Sequence, residues 1–397
     1  MSEDVYVVGT DMIRFGRFDD ATPVKLAAKA ALMALDDCGL TMQDVQAVYS
    51  GNCTETMVGQ RTLHLIGQTG VPVLNVTNAC ATGATAFREA WIAIKAGLYD
   101  VVLAVGSEKM GKGMLVPKNS GGTPIPTEGL VGSNTMPSVF AQMGMEHSRA
   151  YGTTFRQFAQ VSVKNHHHST LNPKAMYQKE TPLEEVMGSE MMAYPITKLM
   201  CSVNVDGSAA AVLCSAKKAR ELGLMDRAVK VRASALASDP FSERNLVQQD
   251  VNTVTRLAAN TAYEMAGVGP REVDLVELHD CFATAEICHY ENLGLCPEGE
   301  GGAFLDSGAT TLGGKVPVNM SGGLLSKGHP LGATGIANIY EVVTHLRGEA
   351  GARQVEGARI GMTHVVGLGS ACAVHILERT CSTAISARGT EKAASAP

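Results

Sequence analysis

The 397-residue chain lacks the features of a membrane-spanning, exported or nucleic-acid-binding protein. No run of 18 apolar residues occurs, so the sequence predicts no membrane span. Residues 1–11 have neither the basic start nor the apolar stretch of a secretory signal. The net charge is −6 without a cluster of Lys and Arg, so nucleic acid is not an expected partner. We expect a cytoplasmic protein, and an anionic substrate would need local positive charge or helix N-termini rather than overall attraction.

Paired metal or redox cysteines are also missing. None of the ten cysteines stands in a Cys-x-x-Cys pair, and without an export signal we expect reduced, mostly buried thiols. Cys281, Cys288 and His289 would suit zinc, but no second ligand pair at short spacing supports them, so we expect no metal. Residues 166–168 are three histidines on a predicted helix. They point in different directions, which favours a solvated or lid role.

Strands and helices alternate through the first 105 residues. We predict strands at 5–9, 45–49, 71–76 and 101–105, and helices at 22–38 and 82–95. This alternation is typical of a parallel α/β layout. Residues 111–197 are rich in Gly, Pro and Met, and we expect an excursion that is helical over 153–167 and covers the site.

The second half of the chain repeats the first in four blocks that occur in the same order. Residues 26–28 match 257–259, 39–48 match 267–276, 80–85 match 329–334, and 207–212 match 369–374. In the third pair, Cys-x-x-Gly-Ala-Thr stands opposite His-x-x-Gly-Ala-Thr. The repeat predicts two duplicated α/β units, with Cys80 and His329 at equivalent strand-to-helix turns. A site between such units lies at the carboxyl ends of their strands.

Cys80 and His329 have the chemistry of a nucleophile and its base. A thiol at a helix N-terminus is expected to have a lowered pKa. Pro330 suits the first helical position, so His329 should lie near a positive helix end and stay neutral. It would take the proton of Cys80 or donate to an oxyanion. The alternatives are a buried Cys at a tight turn and a His satisfied by backbone carbonyls.

A further group of reactive residues, Glu-Leu-His-Asp-Cys-Phe at 277–282, ends a predicted strand. Here His279 is a candidate hydrogen-bond donor and Cys281 a candidate second acid/base. The alternative is a structural pair of His279 with Asp280 beside a packed Cys. Cys372 lies within a predicted strand of small residues, where we expect it to pack.

Together these motifs resemble the thiolases, and most closely the sterol-carrier-protein type. The resemblance spans about residues 5–377 and depends on Asn-Ala-Cys-Ala-Thr-Gly at 78–83, His-Asp-Cys-Phe at 279–282, Leu-Gly-Leu-Cys-Pro-Glu-Gly at 293–299 and Gly-His-Pro-Leu-Gly-Ala-Thr-Gly at 328–335. The Gly-His-Pro block is specific for the superfamily, and His-Asp-Cys-Phe marks the sterol-carrier branch.

The resemblance implies an α/β thiolase fold of five layers, αβαβα, built from two βαβαβαββ halves. The halves would be residues 1–230, with a loop-domain insertion at 111–200, and residues 231–382, followed by a flexible tail at 383–397. The lipid-binding domain that is fused to some relatives is not expected here.

The resemblance also implies roles for the site residues. Cys80 would be acylated and His329 would activate it. Common thiolases have a second acid/base Cys in a Cys-x-Gly motif, whereas this chain has Val-Val-Gly at 365–367, so the role falls to Cys281. One oxyanion site would use His279 and His329, and the other the backbone N–H groups of Cys80 and Gly367.

The implied activity is that of a 3-ketoacyl-CoA thiolase of lipid metabolism and fatty acid β-oxidation. It would cleave 3-oxoacyl-CoA to acyl-CoA plus acetyl-CoA or propanoyl-CoA, or run the reverse condensation. Coenzyme A is the co-substrate, no permanently bound cofactor is expected, and the chain would form a homodimer or tetramer. Two alternatives remain: a retro-aldol lyase on a steroid side-chain CoA ester, and a non-catalytic acyl-CoA or lipid carrier.

Overall fold

A computed structural model describes residues 3–111, 136–240 and 251–380. The predicted tail at 383–397 and part of the predicted excursion, residues 112–135, lie outside these ranges. The division into halves with a loop-domain insertion stays a prediction. No helix within the described ranges is both long enough and apolar enough to cross a bilayer.

The described strands and helices alternate through most of the chain. The strands are β1 Val5–Met12, β2 Ala47–Gly51, β3 Val73–Val76, β4 Val101–Glu108, β5 Met191–Ala193, β6 Ile196–Thr197, β7 Gly207–Ser215, β8 Val229–Ala237, β9 Leu275–Glu277, β10 Ile360–Gly367 and β11 Ala371–Arg379. The helices are α1 Pro23–Cys38, α2 Val58–Ile66, α3 Thr82–Lys95, α4 Met136–Tyr151, α5 Phe155–Thr170, α6 Leu183–Gly188, α7 Ala216–Glu221, α8 Val251–Ala266, α9 Ala283–Asn292, α10 Gly301–Asp306 and α11 Leu331–Arg347.

Nine of these strands form one mixed sheet in the order β3-β2-β4-β7-β1-β8-β11-β10-β9. Strand β2 pairs in parallel with β3 and β4, and β9 pairs in parallel with β10, whereas the inner pairs are antiparallel. The two halves of the sheet join only where β1 meets β8, through the pairs Tyr6–Lys230 and Val7–Val229. The sheet therefore behaves as two sub-sheets with a narrow connection.

Side chains that alternate along the strands divide the core into layers. Val5 and Val7 of β1 pack in a cluster with residues of α3 and α11, whereas Tyr6 and Val8 pack in another with residues of α1. Residues of α8 and α9 form a third cluster on the far face of the second sub-sheet. The order of layers is helix, sheet, helix, sheet, helix, and the predicted α/β thiolase fold is confirmed.

The two central helices, α3 and α11, approach each other closely at their N-terminal ends. A Cβ at Gly83 would lie 2.7 Å from the carbonyl oxygen of Gly332, and one at Gly335 would lie 2.2 Å from the backbone nitrogen of Ala84. Only glycine permits this contact, which explains the Gly-Ala pair that the two repeats share. Cys80 and His329, which precede these helices, are thereby placed at one seam. The sequence predicted that Pro330 is the first residue of this helix. In the structure it is the N-cap of α11, and the helix begins at Leu331.

Candidate active site

A cavity of about 470 Å³ opens at this seam. Its buried end is lined by four of the predicted residues, Cys80, His279, Cys281 and His329. Its walls are largely apolar and include Met136, Pro137, Phe140, Leu199, Phe282 and Leu325. The exposed residues at its mouth are Arg17, Tyr177, Glu190 and Lys198. The shape suits a ligand with an apolar part near the thiol and a polar part near solvent.

A tight turn presents the Cys80 thiol. Ala79 has the left-handed backbone conformation, with φ of +47°, which is uncommon for a residue with a side chain. The hydroxyl of Thr82 closes the turn by accepting from the backbone N–H of Asn78 at 2.7 Å. Gly367 packs against the other side, since a Cβ there would lie 2.3 Å from the carbonyl oxygen of Asn78. The strained turn therefore places the half-buried Cys80 directly before α3.

Cys80 and the two histidines converge. The Cys80 Sγ and one ring nitrogen from each of His279 and His329 lie within 4.8 Å of one another. The two imidazole rings are nearly perpendicular, with centroids 5.3 Å apart. The predicted meeting of the Cys80 and His329 turns is therefore what the structure shows, and Cys281 lines the same cavity.

Hydrogen bonds assign the tautomer of His329. The Thr334 hydroxyl donates its proton to the carbonyl oxygen of Pro330, at 3.0 Å. Since the hydroxyl has one proton, we assign its 2.8 Å contact with Nδ1 of His329 as a hydrogen bond that Nδ1–H donates. Nε2 is then the unprotonated nitrogen, and it has no partner within the described ranges. His329 is consequently held as a neutral ring with a free lone pair.

Burial dominates the pKa values of the site. It lowers the pKa of His329 to about 3, with a smaller contribution from Lys327, which agrees with the expected neutral ring. It raises the pKa of the Cys80 thiol to about 12, with smaller contributions from Cys53 and Glu108, so the expected lowering by the helix N-terminus is wrong. Burial, followed by the nearby Cys80, also raises the pKa of Cys281. The free site therefore strongly disfavours the thiolate of Cys80.

His279 and Asp280 do not form the structural pair that was the alternative interpretation. Both ring nitrogens of the buried His279 lack a hydrogen-bond partner among the described residues. The Asp280 carboxylate accepts instead from the backbone N–H groups of Leu324 at 2.7 Å and Leu325 at 3.3 Å. Burial and then Glu286 raise the pKa of Asp280 to about 8. Asp280 thus ties the turn that carries His279 and Cys281 to the segment that leads into His329.

The three histidines at 166–168 do not share one environment. His166 and His168 are buried, and only His167 is exposed, so the expected solvated face is wrong for two of the three. His166 lines the cavity and its pKa is lowered by burial.

Cys288 and His289 do not belong to the one Cys/His/carboxylate cluster that converges in the described ranges. Cys372 is buried in β11, as expected.

Two residues of the site were not singled out from the sequence. Thr334 lies in the repeated block at 329–334, and the spacing of residues there gave no sign of its hydrogen bond to His329. Glu108 is fully buried, and one carboxylate oxygen accepts from Cys53 N at 2.9 Å and Gly332 N at 3.1 Å. Its position after an apolar strand, at the edge where the site lies, was the available signal.

Comparisons with known proteins bear on the family of the chain. The family model described as "Thiolase, N-terminal domain" matches residues 5–192, and "Thiolase C-terminal domain-like" matches residues 241–379. Sterol carrier protein 2 of Rattus norvegicus is 40% identical over an alignment of 410 positions, which covers 99% of this chain and 75% of the relative.

Two further proteins extend the comparison. The acetyl-CoA acetyltransferase of Methanothermobacter thermautotrophicus is 41% identical over 389 residues, which cover 95% of this chain and 100% of the relative. The solved structure of the Ltp2-ChsH2(DUF35) aldolase aligns with a TM-score of 0.80 at 22% identity, covering 95% of this chain and 98% of the other, which shows a common fold. The two family matches, the fold and the motifs agree that the chain belongs to the thiolase family.

Proposed function

We propose that this chain is a thiolase-type acyltransferase that cleaves 3-oxoacyl-CoA with coenzyme A through an acyl-Cys80 intermediate. The observation that supports it most directly is the approach of the Cys80 Sγ to His279 and His329 within 4.8 Å. The relative named acetyl-CoA acetyltransferase acts, by its name, on the same class of thioester. Coenzyme A is the co-substrate, and the proposal needs no bound cofactor.

The first half-reaction acylates the thiol. Nε2 of His329 takes the Cys80 proton while Sγ attacks the 3-keto carbon. The bond between C2 and C3 breaks, and its electron pair passes to C2 as the enolate of a CoA thioester. The Cys281 thiol protonates C2, and its raised pKa keeps it in the required acid form.

The second half-reaction returns the enzyme to its starting state. The Cys281 thiolate accepts the proton of the coenzyme A thiol, whose sulfur attacks the acyl-Cys80 thioester. Cys80 then leaves as the thiol by recovering its proton from His329. Atoms and charges balance, and every proton moves between groups that line the one cavity.

Two oxyanion sites support these steps. The ring nitrogens of His279 have no partner among the described residues, and His279 and His329 are the proposed donors for the thioester oxygen of the enolate. The backbone N–H groups of Cys80 and Gly367 are the proposed donors for the acyl oxygen. This assignment is supported by the packing of Gly367 against the Cys80 turn.

Acyl-enzyme trapping tests the proposal. Incubation with a 3-oxoacyl-CoA should add the acyl mass to the tryptic peptide that contains Cys80. Cys80→Ala should abolish the adduct, and acylation elsewhere in that variant would remove Cys80 from the scheme. Cys281→Ser should still form the Cys80 adduct, because the nucleophile and its base remain, but proton exchange at the methyl group of acetyl-CoA should slow with the loss of the second acid/base. Undiminished exchange would reassign that role.

The retro-aldol alternative is separated by its need for coenzyme A. The solved aldolase shares the fold, but a retro-aldol cleavage uses no acyl-thiol intermediate, and this chain has an accessible Cys80 in its cavity. Turnover that requires free coenzyme A supports the thiolase, and product formation without it supports the lyase. Binding of acyl-CoA with neither turnover nor acylation of Cys80 would support the carrier. A panel of 3-oxoacyl-CoAs with and without a 2-methyl group would identify the acyl chain and its place in lipid metabolism.

The edge of the sheet offers a surface for the expected homodimer. Strand β3 pairs only with β2 among the described strands, and Leu74 on it is 47% exposed. An unpaired apolar edge favours pairing with a second copy. Leu74→Lys should shift the chain towards monomer in light scattering, and an unchanged mass would place the interface elsewhere.

A further inference from the structure

The group at the end of the cavity has the composition of a metal site. A thiol and two imidazoles are ligand types that zinc prefers. Among the described residues, Cys80, His279 and His329 are the one group of potential ligands whose atoms converge, within 4.8 Å of one another. The group does not depend on the spacing of cysteines along the chain, which is why the sequence predicted no metal.

The distances are close to those of a tetrahedral zinc ion. With bonds of about 2.3 Å to sulfur and about 2.0–2.1 Å to nitrogen, two ligands of one ion lie roughly 3.3–3.7 Å apart. Separations of up to 4.8 Å therefore have to shrink by about 1.5 Å at most, which rotations of the three side chains can supply. Rotation of the His279 ring breaks no hydrogen bond in the described structure, because neither of its nitrogens has a partner.

The surroundings of His329 also fit a metal ligand. Its Nδ1–H is directed to the Thr334 hydroxyl, and the unprotonated Nε2 has no partner in the part of the chain that the structure describes. Histidines that bind metals commonly donate their other ring N–H in this way, which fixes the ring and raises its basicity. The cavity of about 470 Å³ leaves room for a water molecule as the fourth ligand.

We propose that Cys80, His279 and His329 form a reversible inhibitory site for zinc and related thiophilic divalent cations. Binding forms a metal–sulfur bond and releases the Cys80 proton to solvent, so no oxidant or reductant is needed. Inhibition, but not binding, rests on the proposed function, because a coordinated sulfur is not free to attack the acyl-CoA. The cation is then a competitor of acyl-CoA.

Cobalt provides a readout that is independent of turnover. Addition of Co²⁺ to the full chain should produce a near-ultraviolet sulfur-to-cobalt charge-transfer band and the visible bands of tetrahedral coordination, and Zn²⁺ should displace both. Cys80→Ala should lose the charge-transfer band. His279→Ala and His329→Ala should each bind at least about 100-fold more weakly, since even changes around the ligands cost about 10–100-fold.

Cys53→Ser is the matched control. The Cys53 thiol contacts the same turn, 3.2 Å from the carbonyl oxygen of Ala79, but is not one of the three ligands. This variant should retain the spectrum and affinity of the wild type. In the wild type, Zn²⁺ should also slow alkylation of Cys80 by iodoacetamide, a measurement that remains informative if a histidine variant fails to fold.

The outcomes separate the two proposals. Absence of the charge-transfer band, loss of it in Cys53→Ser, or equal affinity in the folded histidine variants would each overturn the metal site. Cobalt binding at Cys80 in a protein that no acyl-CoA acylates would support the metal site while the proposed function fails. Acylation without cobalt or zinc binding would leave the function and remove the site.

Discussion

Replacement of Thr334 by Val tests whether the tautomer of His329 controls acylation. Valine keeps nearly the same volume at this fully buried position but removes the hydroxyl that accepts from Nδ1–H. The ring then either keeps an unsatisfied N–H or moves its proton to Nε2, where it blocks the base. Both changes slow proton transfer from Cys80. Thr334→Ser is the control, because it keeps the hydroxyl and removes only a methyl group.

The expected loss follows from one buried hydrogen bond. A buried donor without a partner costs about 1–3 kcal/mol, and each 1.36 kcal/mol in the barrier is about tenfold in rate. We expect Thr334→Val to acylate about 5–150-fold more slowly. Thr334→Ser loses about 0.8 kcal/mol of stability with the buried methyl group, but its acylation rate should stay near that of the wild type.

Single-turnover acylation measured by quenched-flow mass spectrometry separates rate from stability. We expect Thr334→Val to be slow and about 1–3 kcal/mol less stable, whereas Thr334→Ser stays fast and loses only about 0.8 kcal/mol. Substrate affinity should change little in either, because Thr334 does not line the cavity. Wild-type acylation by Val, or equal slowing in Val and Ser, would refute the assigned role of the hydroxyl.

Three further predictions follow from burial and packing. Because the pKa of Cys80 is raised to about 12, its alkylation rate should rise about tenfold per pH unit between about pH 7 and 10, and a plateau near pH 8 would contradict this. Gly83→Ala should push the two central helices apart, which lowers stability by about 1–3 kcal/mol and slows acylation. Gly188→Ala is the control and should change neither, because a Cβ there meets nothing within 4 Å. Equal melting temperatures for the two variants would contradict the packing argument. Outside the cavity, burial lowers the pKa values of four imidazoles to about 3 or 4. Their neutral forms leave stability at its full value above about pH 6.5, and stability falls by about 1.4 kcal/mol for each of them per pH unit below it. A melting temperature that stays flat down to about pH 5 would be inconsistent with this. These are His168, His289 and His375, with pKa values of about 3, and His345, with a value of about 4.

Much of the fold could be predicted from the sequence because the information is local or repeated. The helix α1 has Thr22 as its N-cap, Pro23 at its first position and left-handed Gly39 at its end, and it forms as predicted. The Cys-x-x-Gly and His-x-x-Gly blocks placed Cys80 and His329 at one seam because the repeat implies equivalent turns. The packing of Gly83 against Gly332 is the physical reason that this inference succeeded.

The parts that could not be predicted depend on distant contacts. Local placement of Cys80 at a helix N-terminus favours the thiolate, but burial by the other half of the chain outweighs it and raises the pKa. The helix that carries His166 and His168 has a polar sequence, but the segment around Asn319 and Ser326 packs over both side chains. Tertiary packing from more than 150 positions away decides both histidines.

Buried carboxylates hold together the parts of the site that repetition alone would leave apart. Glu108 binds backbone N–H groups of both Cys53 and Gly332, which belong to opposite halves of the chain. Asp280 binds Leu324 and Leu325 and so ties the turn carrying Cys281 to the segment before His329. Burying these carboxyl groups is costly, and their hydrogen bonds fix a geometry that apolar packing does not specify. The duplicated helices therefore bring the thiol and imidazole near each other, and the carboxylates set the distances at which chemistry becomes feasible.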